Sequence, residues 1–302
     1  MKLGEKLLSK TEPRNILITG KESYIGENLR RWIEEKKPFW YVKTLDVKGH
    51  DWEQENFESY DTVIHVAALV HAKDRFTWED YRGVNRDLTI EIAKKSKNAG
   101  VDQFVFFSTM GVYGQEKKLP DGNVIERSTP CSPDTFYARS KLEAEEVLRN
   151  MESPLFKVSI LRPPNIYGYQ CKGNYIKYIR RIACHLPFFP NAYLRARQGL
   201  LYIENLCELV RLIIEHRANG LFTPQDPFTP NMVEMIKEIA LTTQRKITFF
   251  EVSRMLEARL SSNPLIIKLF GGISYSSEIA CSPLGNYSLV PFHEAIQRTV
   301  KL

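Results

Sequence analysis

Apolar positions in the first half of the chain form short runs that alternate with segments of helical spacing. The runs are rich in β-branched and aromatic residues, which is typical of buried strands. The predicted strands are residues 15–19, 41–45, 61–68, 103–108 and 157–161. Helical spacing is found over residues 26–33, 81–98 and 135–149. Alternation of this kind predicts an α/β fold with a parallel sheet that is covered by helices on both faces.

The second half of the chain is less regular. Thr229 and Pro230 have the pattern of a helix N-cap followed by proline at the first helical position. The apolar segment 265–270 is predicted to belong to a core or to the surface of a lid. The other predicted elements are helices at 173–185, 202–216 and 232–241, a break at 186–190, and a strand at 220–222.

Composition limits the class of protein. The 302 residues, 43% of them hydrophobic, can form one large α/β domain or a domain with a lid. No apolar run approaches eighteen residues, and the first ten residues lack a secretory signal, so we expect no integral membrane association. The five scattered cysteines have neither metal-site nor disulfide spacing, which favours a cytoplasmic protein without a bound metal. A net charge of +6 suits an anionic ligand but is too diffuse to indicate nucleic acid.

The first candidate site is the turn at residues 19–26, between a predicted strand and a predicted helix. Gly20 would let the backbone approach a pyrophosphate, and the helix N-terminus would supply N–H donors and a positive dipole. Only two of the three usual glycines, Gly20 and Gly26, are present. Alone, this turn is compatible with an ordinary strand-to-helix connection.

The second candidate site is the pair Tyr137 and Lys141. Residues four apart on a helix share one face, and a protonated lysine beside a phenol favours the phenolate. A tyrosine with a lowered pKa is a usable general acid and base near neutrality. The same spacing is also common on solvated helix faces, so the pair needs support from the rest of the chain.

Six motifs occur in one order along the chain. They are Thr19-Gly20 with Gly26, His65 with Ala67-Ala68, Asn85, the segment 108–114, Tyr137 with Lys141, and the segment 162–168. In this order they resemble the extended short-chain dehydrogenase/reductase family, and more narrowly its nucleotide-sugar epimerase/dehydratase branch. The resemblance covers nearly the whole chain from about residue 15. It implies a Rossmann-type doubly wound sheet with a smaller C-terminal α+β cap for substrate, and a homodimer built through a four-helix interface.

The resemblance also implies the boundaries and the residues of the sites. The dinucleotide-binding domain would comprise 1–168 and 199–222, and the substrate-binding cap 169–198 and 223–302. The cofactor would be NAD, with NADP possible. The implied cofactor-binding residues are Gly20, Ser23, Tyr24, Ile25, Gly26, Asp46, Ala67, Ala68, Asn85, Ser108, Tyr137, Lys141 and Pro163.

The choice of cofactor depends on Asp46, at the end of the second predicted strand. An acid there would bind a ribose 2′-hydroxyl and repel a 2′-phosphate, which favours NAD. Only fifteen residues separate Asp46 from Thr62, so the strand before Asp46 could instead be the third of the fold, and Asp46 would then face adenine. Lys21 and Arg30 could alternatively serve a 2′-phosphate. We favour NAD.

The family mechanism assigns the catalytic roles to Thr109, Tyr137 and Lys141. Tyr137 would take the proton of a sugar hydroxyl during hydride transfer, Lys141 would hold the cofactor ribose, and Thr109 would bind the same sugar oxygen. A 4,6-dehydratase needs an acid and a base where this chain has Met110 and Gly111, so dehydration is disfavoured. A 4-epimerase acting on a UDP-hexose or UDP-N-acetylhexosamine for surface polysaccharide is favoured. A 4-ketoreductase and a non-catalytic dinucleotide-binding regulator remain as alternatives.

The resemblance implies that Asn165 and Arg197 bind the nucleotide diphosphate, together with Thr109 at the sugar. Relatives often carry a phosphate-binding arginine at the position of Gln198, whereas Arg197 is one residue away and Arg195 is three residues away. Either the alignment shifts by one residue, or the diphosphate is bound differently. Val70 stands where UDP-galactose epimerases often have lysine. The basic residues Lys172, Lys177, Arg180 and Arg181 could contact phosphates or form a solvated helix face.

Overall fold

The computed structural model describes residues 12–70, 76–114, 121–171, 173–191, 196–253, 255 and 262–300. The first ten residues, Lys172 and Arg195, to which sequence predictions refer, lie outside these ranges. None of the helices in the described part of the chain is both long and apolar enough to span a bilayer.

In the described part of the chain, six strands form one parallel sheet, and six further strands form three parallel pairs. The sheet contains β1 (Asn15–Thr19), β2 (Tyr41–Leu45), β3 (Thr62–His65), β4 (Gln103–Phe107), β6 (Lys157–Leu161) and β10 (Gly220–Phe222). Its strand order is β10-β6-β4-β3-β1-β2. The pairs are β5 (Asn123–Ile125) with β12 (Ile273–Tyr275), β7 (Asn165–Tyr167) with β9 (Leu200–Tyr202), and β8 (Phe188–Asn191) with β11 (Thr248–Glu251).

The helices connect and cover these strands. They are α1 (Tyr24–Lys36), α2 (Trp78–Arg82), α3 (Leu88–Asn98), α4 (Phe136–Met151), α5 (Asn174–His185), α6 (Ile203–Glu215), α7 (Met232–Thr242), α8 (Pro264–Phe270), α9 (Ser277–Ala280) and α10 (Phe292–Val300). A π-helical segment, Gly83–Asp87, joins α2 to α3, and Met110–Tyr113 forms a 3₁₀ turn.

Alternate residues of β1 show why helices cover both faces of the sheet. Ile16 and Ile18 belong to one hydrophobic cluster with α1, α6 and α7, whereas Leu17 belongs to another with α3 and α4. Successive strand residues point to opposite faces, so both faces need an apolar cover. The predicted doubly wound fold is confirmed.

Two sequence predictions are wrong in detail. The strand before Asp46 is not the third of the fold, because β2 pairs directly with β1 and is the edge strand of the sheet. The connection from β2 to β3 is short because, in the described part of the chain, it contains no further strand that pairs with the outer edge of β2. The N-cap of α7 is Asn231, not Thr229, and Asn231 forms a reciprocal capping box with Glu234.

The second half packs onto the sheet domain through several contacts. Helix α5 contacts α7, and α7 contacts α10. Strand β12 returns to pair with β5, near the carboxyl end of the sheet. The first hydrophobic cluster contains both Ile16 of β1 and Ile236 of α7, so the sheet and the second half of the chain share one core. The division into a dinucleotide domain and a cap stays a prediction.

Candidate active site

The turn between β1 and α1 requires glycine at its first position. Gly20 has φ = 97°, and a Cβ there would lie 3.0 Å from the backbone nitrogen of Ala67. The Gly20 N–H and the Lys21 N–H both donate to the Leu45 carbonyl, at 2.9 and 3.2 Å. The turn therefore sits tightly between the ends of β1, β2 and the segment after β3, with its backbone at the carboxyl edge of the sheet.

Ser23, where the usual motif has a glycine, caps helix α1. Its hydroxyl accepts a hydrogen bond from the Gly26 N–H at 3.0 Å. A Cβ on Gly26 would lie 2.7 Å from the Ser23 Oγ. Ser23 thus satisfies one helix N–H itself and leaves the other N-terminal donors to a ligand.

Two of the implied cofactor residues after this cap face the protein core. Tyr24 and Ile25 pack against the first hydrophobic cluster. The Tyr24 hydroxyl is buried and has no hydrogen-bond partner among the residues that the structure describes, and burial raises its pKa well above the usual value.

Asp46 follows β2 directly and is exposed at the same edge as Gly20. Its carboxylate accepts a hydrogen bond from the Lys48 N–H at 3.0 Å. Arg30, the alternative partner for a 2′-phosphate, is engaged by Glu27 at 3.1 Å and by Glu34 at 2.9 Å. Asp46 thus follows the strand that pairs with β1, where a ribose-binding acid is expected, and its contact with ribose stays a prediction.

Asn85 connects the cofactor side of the sheet to the catalytic helix. Its side chain bonds both the N–H and the carbonyl of Leu69, at 2.8 and 3.1 Å, and donates to the Ser140 hydroxyl at 3.1 Å. The π-helical turn carries Asn85 into this buried position. It fixes the segment containing Ala67 and Ala68 relative to α4.

The hydroxyl of Thr109 lies at the carboxyl end of β4. It accepts a hydrogen bond from the Gly111 N–H at 3.1 Å, and its own O–H proton stays available to a ligand oxygen. The Met110 N–H donates to the Pro163 carbonyl at 2.9 Å, which joins this turn to the segment after β6. The turn that carries Thr109 and the segment that carries Pro163 are thus in contact, and their roles at the sugar and the nicotinamide stay predictions.

Tyr137 and Lys141 lie one turn apart in α4. Burial raises the pKa of Tyr137 to about 12 and lowers the pKa of Lys141 to about 7. The Lys141 ammonium is 4.6 Å from the Phe106 ring centre and has no hydrogen-bond partner in the described part of the chain. The expectation that Lys141 lowers the pKa of Tyr137 is therefore not met by the protein alone, in which desolvation dominates both groups.

Sequence reasoning missed a buried ionic network behind this pair. Glu145 is fully buried and pairs with Arg162 at 2.6 Å and with Arg149 at 2.7 Å. Ser108 donates its hydroxyl to Glu145 at 2.5 Å, so its proton is used within the protein, and its predicted contact with the cofactor stays a prediction. The spacing of four residues from Lys141 to Glu145 was the available signal, because it places both on one helix face.

Residues predicted to bind substrate have different surroundings. Asn165 is exposed at the start of β7. Arg197 pairs with Glu234 at 2.5 Å, so its charge is compensated within the protein. Gln198 is buried, with its Nε2 directed at backbone carbonyls of Gly199 and Ile273. Val70 is exposed.

The residues at this edge fit a nicotinamide dinucleotide. A glycine cradle that a Cβ would fill lies at the N-terminus of α1, and the buried ammonium of Lys141 has no acceptor within the described ranges. Buried donors normally have partners, so Lys141 is suited to the hydroxyl acceptors of a ribose. Within the described residues, no group of three or more His, Cys, Asp or Glu side chains could hold a metal ion.

A doubly wound parallel sheet, a glycine turn at a helix N-terminus and a Tyr-x-x-x-Lys helix define a class of dinucleotide-dependent enzymes. The chain belongs to the NAD-dependent epimerase/dehydratase family, whose model matches residues 16–222. This confirms the family resemblance, the enzyme class and the cofactor type.

Three known proteins show the extent of the similarity. A UDP-glucose 4-epimerase of Vibrio cholerae is 26% identical over 255 residues, which are 77% of each chain. An N-acetyl-α-D-glucosaminyl-diphospho-ditrans,octacis-undecaprenol 4-epimerase of Escherichia coli O157:H7 is 26% identical and covers 77% of this chain and 73% of its own. The crystal structure of UDP-N-acetylglucosamine 4-epimerase from Bacillus cereus matches with a TM-score of 0.71 at 17% identity, covering 94% of this chain and 97% of its own.

Proposed function

We propose that this protein is a nucleotide-sugar 4-epimerase that acts on a UDP-hexose or UDP-N-acetylhexosamine with bound NAD. The observation that carries the proposal is the buried ammonium of Lys141, without a hydrogen-bond partner in the described structure and one helical turn from Tyr137. A buried lysine of this kind lowers stability unless a ligand uses it. The two relatives reported above are both named 4-epimerases, which supports epimerisation at C4 of a sugar.

Four residues of the chain have defined roles in this chemistry. The nicotinamide, when bound, supplies the hydride acceptor and donor. Lys141 binds the cofactor ribose and places a positive charge near Tyr137, which offsets the burial that raises the pKa of Tyr137. Tyr137 exchanges the proton of the sugar 4-hydroxyl, and the Thr109 hydroxyl donates to the same oxygen. Gly20 and the N–H groups of α1 hold the pyrophosphate.

Elimination of water is not supported by the residues that follow Thr109. Met110 is buried, and Gly111 has no side chain, so neither supplies the acid or the base that dehydration requires. A 4-ketoreductase needs no further group and is the second candidate. The position of Asp46 after β2 and the ion pairs of Arg30 with Glu27 and Glu34 favour NAD over NADP. A preference for NAD favours the epimerase, which keeps its cofactor bound, over the reductase.

The substrate anchor differs from that of UDP-galactose epimerases. Arg197 is compensated by Glu234, and Gln198 takes the place of the usual arginine. A diphosphate would therefore depend on Asn165, on Arg197 after it exchanges Glu234 for phosphate, and on backbone N–H groups. One relative acts on a polyprenyl-diphosphate sugar, and this substrate belongs in the same test.

The test has two stages. Mass spectrometry of the cofactor released from the purified protein should find NAD⁺. Proton NMR with UDP-glucose, UDP-galactose and their N-acetylated forms should then show C4 interconversion without added cofactor. A protein that binds no NAD⁺ and consumes NADPH with a 4-keto sugar would establish the reductase instead. Interconversion confined to a polyprenyl-diphosphate sugar would refute the nucleotide-sugar substrate.

A further inference from the structure

We propose that Glu145 is a positioning residue that keeps Lys141 cationic and holds the carboxyl ends of two strands against the catalytic helix. This rests on the proposed function, in which Lys141 binds the cofactor ribose as an ammonium. Glu145 itself touches neither Tyr137 nor Thr109 in any hydrogen bond of the described residues. Its effect must therefore act through its charge and through the partners that it binds.

The geometry of Glu145 connects three elements of the site. Its carboxylate accepts two hydrogen bonds from the Arg162 guanidinium, at 2.9 Å from Nε and 2.6 Å from Nη2. Arg162 follows β6 and also donates to the Tyr113 hydroxyl at 2.7 Å. Ser108, directly after β4, donates its hydroxyl to Oε1 of Glu145, the oxygen that also accepts from Arg162 Nε. The carboxyl ends of β4 and β6 are thus fixed to α4, the helix that carries Tyr137 and Lys141.

The charges around Lys141 give Glu145 its electrostatic role. His65, on β3, is near enough to Lys141 for their charges to interact, but burial lowers the pKa of His65 to about 3 and leaves the ring neutral. Tyr137, on the same helix, is neutral at pH 7 because burial raises its pKa to about 12. Phe106 on β4 offers only its ring. Glu145 is fully buried in α4 one helical turn from the buried Lys141, and among the described residues its negative charge opposes the desolvation of Lys141.

The partners of Glu145 determine what its removal would do. Arg162 and Arg149 contribute two positive charges beside one carboxylate, and Tyr113 and Tyr275 are neutral phenols nearby, their pKa values raised by burial. Without the negative charge of Glu145, nothing would offset the positive charges of Arg162 and Arg149 near Lys141, and the pKa of Lys141 would fall. Without Arg149, which is half-exposed, the carboxylate would act on Lys141 more strongly.

The experiment measures the pKa of Lys141 directly by NMR of ¹³C-lysine-labelled protein, with the resonance assigned by its loss in Lys141→Met. In Glu145→Gln we expect the pKa of Lys141 to fall by about one unit or more. In Arg149→Gln we expect it to rise by a few tenths of a unit, roughly the effect of one partly screened charge. Glu146→Gln, an exposed neighbour with the same charge change, is the control and should leave the pKa unchanged.

An unchanged Lys141 pKa in Glu145→Gln would overturn the proposal. If burial of an unpaired Arg162 prevents Glu145→Gln from folding, Arg149→Gln decides, because a fall or no change in that variant contradicts the proposal. The alkaline limb of NAD⁺ affinity should move in the same direction as the Lys141 pKa in each variant. These titrations need no sugar, so failure to interconvert sugars would refute the proposed function without touching the result for Glu145.

Discussion

At the residue scale, Lys141 shows a conflict between stability and chemistry. Its ammonium is buried near Phe106 and lacks a hydrogen-bond acceptor among the described residues. Burial lowers the pKa of Lys141 from 10.5 to about 7. The folded protein therefore disfavours the charged form that the proposed chemistry uses, and a bound dinucleotide would supply the missing acceptors.

Replacement of Lys141 by methionine should stabilise the protein below about pH 7, where both folded and unfolded wild-type chains carry the charge. Between about pH 7 and pH 10 the unfolded wild-type chain binds one more proton than the folded chain, so the wild-type free energy of unfolding rises. The advantage of Lys141→Met should shrink over this range in urea unfolding experiments. A difference that is independent of pH would show that Lys141 is not desolvated.

Replacement of Tyr137 by phenylalanine should remove the proton-transferring group and leave the cofactor site intact. We expect C4 interconversion to fall by about 10²-fold or more, while NAD⁺ affinity changes little. Tyr169→Phe, at an exposed tyrosine, serves as the control. Full activity of Tyr137→Phe in the NMR assay would rule out the assigned acid and base.

At the element scale, the start of helix α1 determines both the fold and the phosphate site. Ser23 caps the helix with a side-chain oxygen, whereas Gly20 and Gly26 allow close approach of the backbone. Sequence reasoning located this turn because strand, glycine and helix signals are local. It did not foresee that Ser23 would act as the cap.

Ser23→Ala should destabilise the protein by about 1 kcal/mol, because the Gly26 N–H loses its acceptor. Ser23→Gly should cost only a few tenths of a kcal/mol, since glycine is itself an acceptable N-cap. Urea unfolding at constant pH, without ligand, measures both. Equal stability of the wild type and Ser23→Ala would mean that the hydroxyl does not cap α1.

The features that could not be predicted from the sequence depend on contacts between residues far apart along the chain. The partner of β2 depends on a long-range pairing with β1, and the short connection to β3 left its place in the sheet ambiguous. Glu145 and Arg162 are seventeen positions apart and meet only because α4 packs against the end of β6. Tyr137 and Lys141 could be predicted as a pair because both lie on one helix. Their pKa values could not be predicted, because these values depend on burial by the whole fold.

At the scale of the whole molecule, an exposed aromatic surface suggests how two copies would meet. Phe136 at the start of α4 is 50% exposed and lies 5.9 Å from Trp78 and 6.4 Å from Tyr81 of α2, between ring centres. This surface lies on α2 and at the start of α4, the helix that carries the catalytic pair, and the resemblance implies a dimer through a four-helix interface. A dimer interface there would also hold α4 in place.

Light scattering during size-exclusion chromatography should therefore find twice the mass of one chain. Phe136→Asp should shift the protein to the monomer, because a charge in an aromatic interface is costly to bury. Phe188→Asp, which changes a more exposed phenylalanine on β8, is the control and should remain dimeric. A monomeric wild type, or dissociation only in Phe188→Asp, would contradict this interface.

The central claim is that Tyr137 and Lys141 support a reversible hydride transfer at C4 of a nucleotide sugar. Its most direct test follows deuterium from UDP-sugars labelled at C4, incubated with the purified protein without added cofactor. The claim predicts that the C4 epimer forms and retains its deuterium at C4, because the hydride returns from the bound dinucleotide. Epimer formed with loss of deuterium to solvent, or no epimer from any labelled sugar, would contradict it.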